Sequence, residues 1–117
     1  MAGEISINDK DVLNYTSGFF QIIYNEMEEV IREKSKNLTP EMINFMNKMK
    51  IHSKGCFPYF DVAEYIKTSD SLQELLSILE ETINRLKGAV LETAIASLWD
   101  FYKELMIYGD ELMAQGK

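Results

Sequence analysis

The chain has 117 residues, 46% hydrophobic and 26% charged, which fits one globular domain and excludes a disordered chain. Its formal charge of -7 and pI near 4.7 argue against a nucleic-acid binder, which needs a basic face, and against docking on anionic lipid. The single cysteine, Cys56, rules out an internal disulfide. The opening Met-Ala-Gly-Glu-Ile-Ser-Ile-Asn has no signal-peptide pattern, and no apolar stretch approaches the roughly 20 residues of a membrane span, so a soluble, cytoplasmic protein is expected.

Residues 1–7 read as extended or frayed. Asn8 is a candidate helix cap, with Asp9 and Asp11 in the first turn. Val12, Tyr15, Phe19, Ile23, Met27, Val30 and Ile31 then recur at three- and four-residue steps, which predicts an amphipathic helix to about Lys36. Thr39-Pro40-Glu41 is the clearest local signal: an N-cap, a proline at the first helical position and an acid in the first turn. The helix it starts carries Met42, Ile43, Phe45, Met46 and Met49 and should end near Lys50. Gly55 and Pro58 forbid a continuous helix through the next stretch, and Tyr59–Ile66 reads as a short helix or helical turn.

The rest of the chain is organised by one long helical pattern. Ser71 and Glu74 have the form of a capping box ahead of Leu72, Leu75, Leu76, Leu79, Ile83, Leu86 and Val90. From Ala94 the apolar positions cover most of a helix circumference, with Leu98, Trp99, Phe101, Tyr102, Leu105, Met106 and Tyr108 among them. A single rod from Ser71 to Ala114 would be on the order of 65 Å long, about twice the width of such a domain, so a break near Gly88 is favoured. Trp99 is expected in the core. Any excess that the core cannot cover predicts a homodimer contact or a partner face. No period-two segment is long enough to predict a strand. The expected architecture is all-α, a single domain over residues 1–117, with four or five helices in a bundle.

Candidate chemistry is sparse. His52 and Cys56 are four apart, but zinc needs three or four ligands and there is no second Cys or His, so both read as structural. No phosphate loop, calcium loop or singled-out carboxylate pair is present, and neither a metal, a cofactor nor catalysis is expected. Asn14-Tyr15-Thr16 and Asn37-Leu38-Thr39 match the glycosylation tripeptide by chance. Phe57, Tyr59, Phe60 and Tyr65 cluster with Asp61 and Glu64, either closing one end of the bundle or forming a protein-binding patch. From Tyr59 onward eleven acidic residues stand against five basic ones. Glu74 and Glu81 are seven apart and share a helix face, with Glu80 at its border. The candidate partner-binding set is therefore Tyr59, Phe60, Asp61, Glu64, Glu74, Glu80 and Glu81, facing a basic protein.

A small acidic helical chain in which Cys56-Phe57-Pro58-Tyr59-Phe60-Asp61 leads into Leu72-Gln73-Glu74-Leu75-Leu76 resembles bacterial immunity proteins, which neutralise nuclease toxins of the colicin and contact-dependent growth inhibition types. The resemblance implies a tight inhibitor that masks a basic toxin surface with carboxylates, and no functional residue is carried over from it. The opening residues followed by a long amphipathic helix also look like the WXG-like helical partners of type VII secretion. Against that, Trp99 is followed by Asp100 and Phe101, not by the Trp-X-Gly turn.

Overall fold

The computed structural model describes residues 2–34, 37–52 and 59–117. Strands β1 (Ala2–Ile7) and β2 (Lys10–Thr16) open the chain, followed by helices α1 (Ser17–Lys34) and α2 (Pro40–His52). A short strand β3 (Tyr59–Asp61) and a 3-10 turn (Val62–Glu64) lead into α3 (Ser69–Leu86) and α4 (Glu92–Ala114). The sheet is mixed, in the order β2-β1-β3. The all-α expectation is therefore corrected to α+β: four helices and a three-stranded sheet.

The correction begins at Asn8. It does not cap a helix; with Asp9 it makes the two-residue turn of a hairpin, both at positive φ (51° and 67°). That geometry matches the twist of paired strands, and short polar side chains tolerate it best after glycine. Ile5 lies opposite Leu13 and Gly3 opposite Tyr15, while Ser6 lies opposite Asp11, so Val12 is an extra residue and the strand carries a bulge. The helix begins only after Thr16, whose hydroxyl accepts a hydrogen bond from the Phe19 N–H at 3.2 Å. Residues 59–61 are likewise a strand and not a helix: β3 runs parallel to β1, with Ile5 opposite Phe60.

The helix starts at Thr39 and Thr68 are tied to each other. Thr39 caps α2 as its sequence predicts, its Oγ1 accepting from Met42 N–H at 3.3 Å. The cap of α3 is Thr68, however, and not Ser71. Glu74 does not fold back on its own helix; its carboxylate accepts the Thr39 N–H of α2 at 3.0 Å. In return Glu41 of α2 accepts from the Thr68 hydroxyl at 2.8 Å and the Ser71 hydroxyl at 2.5 Å. Each helix start is thus satisfied by a glutamate from the other.

Helices α3 and α4 form an antiparallel hairpin against which α1 and α2 pack from the α3 side and β2 from the α4 side. The break falls where expected: Gly88 has φ +83°, and the Ala89 and Val90 N–H groups close onto the Leu86 carbonyl. The two helices approach closely at Gly109, where a Cβ would lie 2.6 Å from Leu72 Cδ2. Leu72, Leu75, Leu79 and Ile83 of α3 meet Leu98, Leu105 and Leu112 of α4 in one core with Phe20, Met27, Phe45 and Phe60. Tyr108 reaches through that core to donate to the Ile66 carbonyl at 2.6 Å.

Candidate functional site

The seven residues singled out from sequence do not share one surface. Phe60 is 1% exposed, stacked on Tyr65 and edge-on to Phe45, so it is a core residue. Asp61 is 4% exposed and serves the fold. Its carboxylate accepts from Ser6 Oγ at 2.9 Å, from the Asn8 and Asp9 N–H groups at 3.2 and 2.7 Å, and from Ala63 N–H at 2.8 Å. Cys56 and Phe57 lie outside the described residues, as do the side chains of His52 and Tyr59. Glu64 is exposed on the 3-10 turn. Glu74 is engaged beneath the start of α2. Glu81 pairs with Arg85 at 3.2 Å, and the same guanidinium reaches Glu33 on α1. Only Glu80 stands on the α4 side of α3, where it accepts a hydrogen bond from the Tyr102 hydroxyl. Glu74 and Glu80 therefore meet two different neighbouring helices, and Glu81 pairs within its own.

Helix α4 presents a more coherent surface. Leu98, Phe101, Leu105, Tyr108 and Leu112 are its buried stripe. Ile95, Trp99, Tyr102, Met106 and Met113 follow a second stripe at steps of four, three, four and seven, about 100° round the helix from the first. This stripe is only half covered. Ile95, Trp99 and Tyr102 are partly buried, while Met106 and Met113 are 49% and 63% exposed. Trp99 packs against the core without being enclosed by it. The buried stripe packs against α3, β1 and β2, while the C-terminal half of the second stripe, Met106 and Met113, stays exposed.

The middle of this flank is built from aromatic rings. Trp99 and Tyr102 meet edge to face, with centroids 5.4 Å apart. Lys87, just beyond the end of α3, holds its ammonium 5.6 Å from the centre of the Trp99 ring. Partial burial, and then the neighbouring Glu80 carboxylate, push the Tyr102 phenol above its ordinary pKa, so it is a hydrogen-bond donor at neutral pH. Ala96, Trp99, Asp100, Tyr102, Lys103 and Met106 line an open depression of about 490 Å³. Helix α4 as a whole carries five acids, Glu92, Asp100, Glu104, Asp110 and Glu111, against Lys103 alone. Glu104 is partnered by Lys10 at 3.3 Å on the far side. Glu92, Lys103 and Asp110 lie along the outer border of the exposed stripe, with Asp100 further round the helix.

A second depression, of about 470 Å³, lies across α4 from the first, between the end of β2 and the start of α4. Tyr15, Phe19, Val90, Leu91 and Ala94 line it with Asn14, Thr16, Thr93 and Ser97, and none of these side chains is an acid or a base. Among the described residues no three of His, Cys, Asp and Glu come together as a metal site, and no helix is long and apolar enough to cross a membrane. The α4 stripe had a signal in the sequence, since its apolar positions exceed what one packed face can bury. What could not be read was which part of the excess would stay uncovered. No family model matches the chain, and no curated protein or solved structure matches it.

Proposed function

We propose that this protein is a non-enzymatic binding protein, an inhibitor of the toxin-immunity type, which covers a basic surface of its target with the flank of α4. The observation that carries this reading is the stripe of Trp99, Tyr102 and Met106, partly exposed and flanked by more carboxylates than lysines. Large amphipathic side chains over a partly desolvated depression are the chemistry of binding hot spots, and a net charge of -7 favours fast encounter with a cationic partner. Of the residues singled out from sequence, Glu80 belongs to this surface; Phe60 and Asp61 are too buried to touch a partner. The alternative of a secretion-type helical hairpin has one feature in its favour, the antiparallel α3–α4 pair. Its inner side is already occupied by α1, α2 and the sheet, so it is not free to pair along its length.

The test uses the product of the adjacent gene as the candidate target. Trp99→Ser with Met106→Gln should weaken binding at least about 30-fold, the effect of losing roughly 2 kcal/mol of anchor energy, and should abolish protection of cells. Circular dichroism checks that the variant is folded. A folded variant that binds and protects like the parent would remove α4 from the site.

A further inference from the structure

We infer that the occupant of the α4 flank is an amphipathic, basic α-helix of the partner, laid along the exposed stripe of α4. This inference rests on the binding role proposed above and specifies what is bound. The shape supports a helix. From Ile95 to Met113 the stripe spans 19 residues, about 27 Å and five turns along one helix, with Gly109 and Asp110 at the turn between Met106 and Met113. On its α3 side the stripe is bordered by Glu80 beside Tyr102 and by Lys87, just past the end of α3, beside Trp99. The surface is made of side chains on two helices and offers no strand edge. An extended segment laid there would leave its own N–H and C=O groups without partners, whereas a helix satisfies them internally.

Charge selects the sign of the partner. Around the stripe stand four acids, Glu92 and Asp110 on the outer border with Asp100 beyond it and Glu80 on the α3 side, against two lysines, Lys103 and Lys87. Lys87 already lies over Trp99, so one face of that ring is engaged with an ammonium within the chain itself. A second copy of the protein fits less well: isologous pairing would bring the same acidic borders together and set -7 against -7. A helix with apolar residues at three- and four-residue spacing and Lys or Arg on its flanks meets both the stripe and its borders.

The chain's single tryptophan lies in the proposed site, so its emission reports binding directly. The probe is an 18-residue helical peptide with Leu at three- and four-residue spacing and Lys elsewhere, without tryptophan; its counterpart has Glu in place of Lys. The Lys peptide should shift Trp99 emission to the blue with a saturable titration, and the Glu peptide should not. Asp100→Lys with Asp110→Lys in the full chain should weaken the Lys peptide at least ten-fold and flatten its salt dependence. No saturable shift, equal binding of the Glu peptide, or an unchanged affinity for the double variant would overturn the inference. So would a concentration-dependent dimer at pH 7 that Met106→Glu dissolves, since the occupant would then be a second copy. If the adjacent gene's product still needs Trp99 and Met106 while the Lys peptide fails, the binding role stands and the basic helix falls.

Discussion

Glu41 shows how a single side chain can join two helices. It sits in the first turn of α2, where an acid suits the dipole, and its Oε1 gathers the Thr68 and Ser71 hydroxyls and the Lys67 N–H at 3.2 Å. Burial works against its charge, but the hydrogen bonds from Ser71, Thr68 and the backbone of Lys67 and Thr68 outweigh it, and its pKa is held below the ordinary 4.5. A depressed carboxylate stabilises the fold above the unfolded-state value, and that contribution disappears as pH falls through the lower folded value. Glu41→Gln should therefore cost about 1–2 kcal/mol at pH 7. The gap between parent and variant should narrow below about pH 4. Urea unfolding midpoints of both proteins at pH 7, 5 and 3.5 measure it, and a gap that does not change with pH would contradict the assignment. Trp99 makes the opposite point. Being partly exposed, it should contribute less to stability than the 3–5 kcal/mol typical of truncating a core tryptophan, and its exposed edge is available for binding.

At the scale of elements, the sheet is held by Asp61. Its carboxylate, at the end of β3, binds both N–H groups of the Asn8-Asp9 turn and the Ser6 hydroxyl of β1, so one side chain fixes the hairpin to the parallel strand. Asp61→Ala should cost about 2–4 kcal/mol and should speed amide exchange at Asn8 and Asp9 selectively, with far-UV helix signal retained. Unchanged protection at those two amides would show that the turn holds itself. The same elements explain what could be read beforehand. Thr39-Pro40-Glu41 and Gly88 were legible because caps and breaks act within a few residues. The hairpin was not, because its turn lacks glycine and the bulge at Val12 interrupts the alternation of Ile5, Ile7, Leu13 and Tyr15. With the alternation broken, Val12, Tyr15 and Phe19 fell by coincidence on helical spacing. Strand β3 has three residues and depends on a partner 55 positions away, which no local pattern encodes. Ser71 and Glu74 imitated a capping box because both are cap-type residues; their partners turned out to be Glu41 and Thr39 on another helix. The candidate site was half legible for a similar reason. Periodicity marks apolar positions on α4, but only packing decides that α3 covers Leu98 and Leu105 and leaves Met106 uncovered.

For the whole molecule, net charge and the uncovered stripe act in opposite directions on self-association. At pH 7 a charge of -7 on each copy disfavours contact, although Met106, Ile107 and Met113 are 49%, 52% and 63% exposed along α4. Near the pI of about 4.7 the repulsion vanishes. The fold should persist there, because Glu41 titrates below that pH and the tie between α2 and α3 remains. Folded copies should then associate reversibly near pH 4.7 while staying monomeric at pH 7 in low salt. Met106→Gln with Met113→Gln removes apolar surface without altering charge, so it should suppress association at pH 4.7 and leave the pI unchanged. Sedimentation velocity of parent and variant at both pH values separates the two effects. Equal association of the parent at pH 7 and 4.7 would mean that charge is not what keeps copies apart. Equal association of parent and variant at pH 4.7 would place the sticky surface elsewhere than the α4 flank, and would weaken the case that this flank is kept uncovered for a partner.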